Sequence, residues 1–427
     1  MEEILACFNK KRNSNTLLNF LNYDRPLSVN FKHIGALKNE KVLQLLQVCV
    51  QMKQEYATKC TETHRTSELF DLCNEQLKLL NRIAEGETRW IASPLYTSAL
   101  QLLHVSELLD KAEAEQETAN ARKKKVKGDL EDEKYLEKCV RTIHTSFKLC
   151  LNDRNPDFKD NKKWGVYHFT NLEFRIYHRL QNRDMVRNLV KVLDSRVSEL
   201  PSPETALRAC KAQLVTYYYY KGEFYGCHNG DFQKAFEFLN KAWLESCADV
   251  DVGAQQKDAI MVLLVPFAIL AFKWYPDSVL LKQLHPRVAV LYAPLLACLQ
   301  NGDLKALDTW LDAHELLLLR KNLYVATVLM RELVLVKLVK TCWRVNGARS
   351  IVPVDLVATA VARSATHAAV GALTDDSLDE TECLLANLIC KGYIKGYLSH
   401  GNRAMVVSKT NAFPRQAADG NQQSTAT

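Results

Sequence analysis

Residues 376–414 read DSLDETECLLANLICKGYIKGYLSHGNRAMVVSKTNAFP, and this stretch contains two different hydrophobic periods. Ser377 and Glu380 have the S-x-x-E spacing of a capping box, which predicts the start of a helix. Gly392 has the position of a left-handed cap, so we expect the helix to end there. Between these signals, apolar residues recur at helical spacing, namely Leu384, Leu385, Leu388 and Ile389.

Alternation with a period of two begins at Ile394 and predicts a β-hairpin. Gly401 and Asn402 supply the turn chemistry, and residues 405–408 form the returning strand. A helix followed by a short hairpin is the pattern of a winged helix, a module that usually binds a partner subunit or nucleic acid. The same local rules are equally compatible with a small helix–hairpin cap on a larger domain.

The composition indicates a mostly helical globular chain. Its 427 residues are 47% hydrophobic and 25% charged, and glycine and proline are sparse. The net charge of +7 permits an acidic partner or nucleic acid but requires neither. The first residues, MEEILACFNKKRN, are polar and charged, so we expect no secretory signal.

The 13 cysteines are scattered without a C-x-x-C pair, which predicts reduced thiols rather than disulfides. Cys383, Cys390 and His400 form the best metal-like grouping, but no fourth ligand accompanies them. Buried helical cysteines are the simpler interpretation. We therefore expect no metal and no other cofactor.

The most apolar run is residues 259–272, AIMVLLVPFAILAF. It is shorter than the roughly 20 residues that a membrane-spanning helix needs, and Pro266 interrupts it. The run predicts a buried helix or helix pair without membrane insertion.

Residues 111–138 carry acidic, basic and acidic blocks in turn, a pattern typical of a solvated long helix or an exposed loop. The basic block is also a candidate nuclear import signal or phosphate-contacting patch. Its residues are Arg122, Lys123, Lys124, Lys125 and Lys127.

Two N-G-D triplets predict repeated helical hairpins. Residues 229–231 and 301–303 each follow a predicted helix and precede an amphipathic one. The pattern resembles tetratricopeptide-like hairpins, which bury their apolar faces by stacking on neighbours. We expect a mainly α fold, in which a superhelical array of such hairpins ends in a winged-helix subdomain with a small β-hairpin.

This pattern divides the chain into four parts. Residues 1–160 form an amino-terminal helical region with the charged insert near 111–138, and residues 161–345 form the helical-repeat part. Residues 346–415 form the winged-helix subdomain. Residues 416–427 are small and polar, which predicts a disordered tail.

Helical hairpins that run into a carboxy-terminal winged helix resemble the PCI domain. Three stretches look closer to one branch, the PCI domain-containing protein 2 family of the nuclear transcription-and-export complex. They are residues 214–243, residues 301–324 and, most specifically, residues 384–414, with L-A-N-L-I, G-Y-I-K-G-Y-L-S-H and V-V-S-K-T-N-A-F-P. Together with the helices between them they cover about residues 210–415.

The resemblance implies a non-catalytic scaffold subunit of a nuclear complex that couples transcription to mRNA export. It implies pairing with a larger scaffold subunit through the winged helix, and a small acidic subunit bound along the helical array. It also implies RNA or DNA binding that is salt-sensitive and weakly sequence-specific. The location would be the nucleus, including the nuclear pore, with some cytoplasmic presence. The alternative is an architectural PCI subunit of a signalosome-like or proteasome-lid-like complex without nucleic-acid contact.

Basic residues near the predicted hairpin are the candidate nucleic-acid contacts. Lysines and arginines on the outer face of a hairpin are also ordinary solvated surface, so this assignment depends on the resemblance. The candidates are Lys391, Lys395, Arg403, Lys409 and Arg415.

The sequence lacks four common catalytic motifs, while a Cys/His dyad assembled by the fold, for example at Cys227 and His228, stays open. We find neither G-x-x-x-x-G-K-[ST] nor G-x-G-x-x-G for phosphates, and neither G-x-S-x-G nor H-E-x-x-H for hydrolysis. We therefore predict that the protein is not an enzyme.

Overall fold

The computed structural model describes residues 2–26, 40–61, 65–121, 134–157, 159–247, 250–368 and 371–414. These residues are mostly helical, as the sequence predicts, with one small antiparallel sheet near the carboxy terminus. The chain divides into two compact units, Met1–Tyr220 and Lys221–Thr427. We describe each unit by itself.

The first unit is built from helices whose apolar faces pack on their neighbours along the chain. Leu45, Phe70, Leu102, Ile143 and Phe169 are among its buried residues. The helices are α1 (Glu2–Asn9), α2 (Asn15–Leu21), α3 (Glu40–Lys59), α4 (Ser67–Ala84), α5 (Ala92–Ala121), α6 (Tyr135–Leu151), α7 (Val166–Arg179), α8 (Arg183–Ser195) and the greater part of α9 (Pro203–Glu223). Short 3-10 helices span Arg89–Ile91, Lys162–Gly165 and Val197–Glu199.

The predicted import signal, residues 122–127, lies outside the described residues. The division near residue 220 falls inside the segment predicted as the helical-repeat part. The four-part organisation therefore remains a prediction. The predicted tail, residues 416–427, also lies outside the described residues.

The second unit continues the helical pattern and then changes to a mixed module. A π-helical turn, Phe224–His228, follows the end of α9. The helices are α10 (Phe232–Glu245), α11 (Val250–Phe272), α12 (Ser278–Leu284), α13 (Pro286–Asn301), α14 (Leu304–Arg320), α15 (Tyr324–Leu329), α16 (Arg331–Val345), α17 (Val354–Thr366) and α18 (Asp375–Cys390).

Both N-G-D triplets form the turns that the sequence predicts. Gly230 and Gly302 have left-handed backbones, with φ of 70° and 76°, which glycine adopts without a Cβ penalty. Asp231 caps α10 by accepting a hydrogen bond from Lys234 N, and Asp303 caps α14 in the same way. Each triplet therefore ends one helical element and starts the next.

The apolar run belongs to one continuous helix, α11, which Pro266 does not divide. Its segment Gly253–Phe272 is the one described helical segment long and apolar enough to cross a membrane by length and composition, so our argument from shortness was wrong. Phe267 and Ile269 are fully buried, and Phe267 packs against Gly226. Only part of the helix is covered in this way, because 39% of its most apolar window is buried.

The carboxy-terminal sheet has three strands in the order β1-β3-β2, namely β1 (Ile351–Pro353), β2 (Gly396–Ser399) and β3 (Ala404–Val407). The sequence predicts β2 and β3 as a hairpin but no strand at residues 351–353. In the structure Pro353 is the last residue of β1, and α17 begins only at Val354. A short edge strand that ends in proline has the local sequence of a helix start, which explains the difference.

Two local signals lie at other positions than predicted. The capping box of α18 is formed by Thr374 and Ser377, whose side chains and backbone N–H groups bond reciprocally at 3.1 and 3.3 Å. The residue with a left-handed backbone in the β2–β3 loop is Arg403, with φ of 45°. Gly392 has the predicted left-handed conformation, with φ of 76°. All thirteen cysteines are free thiols.

We predict that Gly396→Ala destabilises the carboxy-terminal module, which consists of β1, α17, α18, β2 and β3. A Cβ at Gly396 would lie 3.0 Å from the Cα of Val407 and closer still to the carbonyl oxygen of Val406, so β2 and β3 would have to separate. Overpacking of this kind costs about 1–3 kcal/mol, and urea denaturation measures it. Gly401→Ala is the matched control, because its Cβ would meet nothing within 4 Å. Equal midpoints for the two variants would contradict the prediction.

Candidate functional site

The carboxy-terminal module is built on the central strand β3. The inward side chain of β3, Met405, and that of β1, Val352, are both fully buried. Leu385 and Leu388 of α18 are also buried, as the helical spacing predicts. Leu384 is 38% exposed and is not part of this core. Sheet and helix thus share one apolar core, in the arrangement of a winged helix.

The other face of the sheet carries an apolar row that lies open to solvent. Val406 of β3 is paired with Ile351 of β1 on one side and with Tyr397 of β2 on the other. Directly opposed residues in antiparallel strands project from the same face. Ile351 is 57% exposed, Tyr397 is 63% exposed and Val406 is half-buried. We call these three residues the outer row.

A groove of about 670 Å³ adjoins the outer row at Ile351. Trp343 forms one side of it, with its Nε1 donating to the carbonyl of Arg349 at 3.0 Å and its ring 5.5 Å from that of Phe413. Arg349 and Lys409 also line the groove, so its lining includes two cations. The neighbourhood of the outer row therefore combines apolar contact area with positive charge.

Two of the predicted nucleic-acid contacts are held in ion pairs. Lys391 pairs with Glu332 of α16. Arg403 pairs with Asp379 and, at 3.2 Å, with Glu382, both on α18. These pairs reduce the positive charge that the module presents to solvent.

Lys395 and Lys409 are exposed, while Arg415 lies outside the described residues. The structure places Lys409 at the groove and Lys395 just before β2. The assignment of these five residues to nucleic acid remains a prediction, and it plays no part in the function that we propose.

The loop between β2 and β3 is tied to α18 by a network around Glu382. His400 Nδ1 lies 2.7 Å from Glu382 Oε2, and Arg403 pairs with the other carboxylate oxygen. The hydrogen bond with His400 is the main cause that holds the pKa of Glu382 below its ordinary value, and the hydrogen bond with Arg403 adds to it. The network fixes the loop against the helix electrostatically.

The three residues with metal-like spacing are not brought together. His400 lies beside Asp379 and Glu382, and the ligand atoms of these three lie within 4.8 Å of one another. That group contains neither Cys383 nor Cys390, and both cysteines are exposed, so their interpretation as buried helical cysteines was wrong. Because Arg403 already supplies positive charge to both carboxylates, we assign the group to an ion-pair network.

Sequence reasoning missed Ile351, and with it the outer row. The signal was present in residues 351–353, Ile-Val-Pro, which alternate between exposed and buried positions. Three residues are too few for a periodicity to be recognised, and only the pairing with β3 shows their role.

The chain matches a domain-family model and several known proteins. A model of the PCI domain matches residues 312–409, which include the second half of α14 and every element from α15 to β3. The chain is 40% identical to COP9 signalosome complex subunit 12 of Eremothecium gossypii, over 97% of this chain and 98% of that protein. It is 36% identical to the Saccharomyces cerevisiae protein of the same name, over 97% and 99%. The chain belongs to the COP9 signalosome complex subunit 12 family.

This membership overturns our assignment to the PCI domain-containing protein 2 family and to a transcription-and-export complex. The expected partners of that complex, its larger scaffold subunit, its small acidic subunit and RNA or DNA, are corrected with it. The stretch that suggested the branch encodes the winged helix itself, through the cap at Gly392 and the strand approach at Gly396. Such features specify the module, whereas the family relationship extends over nearly the whole chain.

We predict that Glu382→Gln removes part of the acid sensitivity of the module. Because the folded-state pKa of Glu382 lies below its ordinary value of 4.5, the ionised carboxylate stabilises the fold above that pH. This contribution is lost as the pH falls through the folded-state pKa. Urea denaturation between about pH 7 and pH 3 should show a wild-type advantage that is full near neutrality and shrinks in acid.

Glu380→Gln is the control for this experiment, since Glu380 is an exposed carboxylate on the same helix. It should leave the wild-type pH profile unchanged. A wild-type advantage over Glu382→Gln that stays constant down to the lowest pH would contradict the electrostatic role of Glu382.

Proposed function

We propose that the protein is a non-catalytic architectural subunit of a signalosome-type complex, and that it holds another subunit on the outer face of its carboxy-terminal sheet. The observation that carries the proposal is the outer row, in which Ile351 and Tyr397 remain more than half exposed on a well-packed sheet. The names of the most similar relatives support a complex of this type.

The chemistry of the outer row suits a protein partner. Tyrosine at the centre of an interface offers a large apolar area with a hydroxyl that finds a hydrogen bond, and few such anchors dominate binding energy. The groove beside Ile351 adds Arg349 and Lys409 at its lining. We therefore expect the partner to bring apolar side chains flanked by carboxylates.

The absence of a catalytic role is part of the proposal. The histidine–carboxylate pairs that the structure describes in the second unit join segments of the fold. His285 pairs with Asp258 at 2.8 Å and is itself buried, and His367 pairs with Asp303, the cap of α14. Each pair joins two segments of the fold, and the sequence has no motif for a nucleophile or a phosphate.

We place the protein in the nucleus and the cytoplasm, and no observation here supports the nuclear pore.

We predict that Tyr397→Asp and Ile351→Asp weaken assembly. Both side chains are exposed, so the substitutions should leave the fold intact while placing a carboxylate in an apolar contact. Loss of an interface anchor typically costs about 10- to 100-fold in affinity. The measurement is recovery of the other complex subunits by affinity purification of the tagged protein, quantified by mass spectrometry.

Val290→Asp is the matched control, because Val290 is an exposed valine on α13, 77% exposed. It should recover the same subunits as the wild type. If all three variants recover the subunits equally, the outer row is not the assembly surface. If the wild type recovers no signalosome-type subunit at all, the proposed function is wrong.

A further inference from the structure

The first unit contains a cavity that the proposed assembly role does not use. It has a volume of about 490 Å³ and lies where α5 and α7 begin. Pockets of roughly 300–1,000 Å³ are of the size that binds small molecules. Its lining combines aromatic rings with charged groups, among them Arg89, Trp90, Tyr96, Lys159, Asp160 and Trp164.

Arg89 is the most unusual group in this lining. Its guanidinium lies 4.2 Å from the centre of the Trp164 ring, so one face of its plane is covered. Within the described residues its side chain has neither an ion pair nor a hydrogen bond. Guanidinium carries five N–H donors in a planar fork that matches an anionic oxygen pair. A half-buried guanidinium with unused donors in a cavity is suited to an anion.

The neighbouring Lys162 is a buried cation whose hydrogen bonds are all made within the fold. Its ammonium is buried and donates to the carbonyl oxygens of Ala84 at 3.0 Å and Glu87 at 2.7 Å. Its charge is thus satisfied by the fold itself. Arg89 lies within a few residues of these carbonyls in sequence and is nevertheless not paired with them.

Further donors converge on the cavity. The exposed Lys159 lies at its edge, and within the described residues its ammonium has no partner. His168 also lines the cavity, where burial is the main cause that lowers the pKa of its imidazole and a hydrogen bond with the backbone of Trp164 opposes this shift. Two acidic groups are also near, since Asp160 lines the cavity and Glu87 lies 3.8 Å from Lys11. Three cations, Lys11, Arg89 and Lys159, line the cavity and outnumber these two carboxylates.

The starts of α5 and α7 border the cavity but add no free donors. Ala92 and Ser93, the first residues of α5, line the cavity, and so does Gly165, which directly precedes α7. Each helix continues from a 3-10 helix, and the N–H groups of Ala92 and Val166 already bond to the carbonyl oxygens of Arg89 and Lys163. The positive charge of the cavity therefore comes from its side chains.

The aromatic side chains supply the other half of a ligand site. Tyr96 is half-buried, and its hydroxyl accepts a hydrogen bond from Gln213 at 3.0 Å. Trp90 is held by an edge contact with Phe8 and by a hydrogen bond from its Nε1 to Glu87. Fixed aromatic rings next to an anion site suit a flat ring that carries a phosphate.

We propose that this cavity binds a nucleoside phosphate, with the phosphate on Arg89 and Lys159 and the base against the aromatic side chains. The site is separate from the outer row, and neither proposal depends on the other.

Cys210 provides a local readout, because its thiol lines the cavity and is half-buried. The probe is AMP added to the full chain, and the measurement is the rate of Cys210 alkylation by iodoacetamide, followed by mass spectrometry. AMP should slow alkylation of Cys210 and leave Cys247, an exposed cysteine of the second unit, unchanged. Unchanged alkylation of Cys210 at saturating AMP would overturn the proposal.

Calorimetric titration with AMP then tests the residues. Arg89→Gln should weaken binding about 10- to 100-fold, since a charge-assisted hydrogen bond to phosphate is lost. Arg82→Gln is the matched control, an exposed arginine on α4 that does not line the cavity. Lys159→Gln, at an exposed position, should also weaken binding and serves if Arg89→Gln does not fold. AMP binding that is equal in wild type, Arg89→Gln and Lys159→Gln would overturn the placement of the phosphate.

Two fragments of AMP separate the halves of the site. Inorganic phosphate and adenosine should each bind more weakly than AMP by at least about tenfold, because each makes only part of the contacts. If phosphate alone binds as tightly as AMP, the aromatic half of the proposal is wrong. If adenosine alone binds as tightly, the anion half is wrong.

Discussion

The position of β3 between β1 and β2 is the constraint on which the carboxy-terminal module depends. A shift of either pairing by one residue would turn every side chain to the opposite face of the sheet. The observed register places Met405 in the core and Val406 between Ile351 and Tyr397 on the outer face. Gly396 permits this register, because β2 approaches β3 more closely there than a Cβ would allow. The outer row is therefore a consequence of the same packing that makes the module stable.

Local chemistry explains which elements the sequence predicts well. The turns at Gly230, Gly302 and Gly392 all have a left-handed backbone conformation. Glycine adopts this conformation without a steric penalty, so a glycine at the end of a helical pattern is a strong turn signal. The strand β1 has no comparable local signal. Residues 351–353 form a strand only because they pair with β3, some fifty residues later in the chain. The capping box of α18 shows a related ambiguity. Thr374 and Ser377 form it, although Ser377 and Glu380 have the same spacing of three residues and include the glutamate that is usual at the third position.

The surface charge of the carboxy-terminal module is the property that the sequence predicts least well. Lys391 and Arg403 are basic residues in an exposed module, and read singly they suggest an anion-binding surface. In the structure each faces carboxylates from another element, and Glu332 lies 59 residues from Lys391 along the chain. A surface potential is a sum over such neighbours, so it follows from the fold and not from the count of lysines and arginines. Two of the four predicted contacts that the structure describes, Lys391 and Arg403, are thus engaged in ion pairs.

The two functional surfaces are recognisable as exceptions to rules that the fold otherwise follows. Buried cations such as Lys53 and Lys162 are satisfied by backbone carbonyls, and the core strands bury their apolar side chains. Arg89 breaks the first rule, because it is half-buried beside Trp164 without an acceptor among the described residues. The outer row breaks the second, because it keeps apolar side chains in solvent. An unused guanidinium and an uncovered apolar row call for different complements, an anion and a protein surface, so the two sites are distinct in chemistry as well as in position.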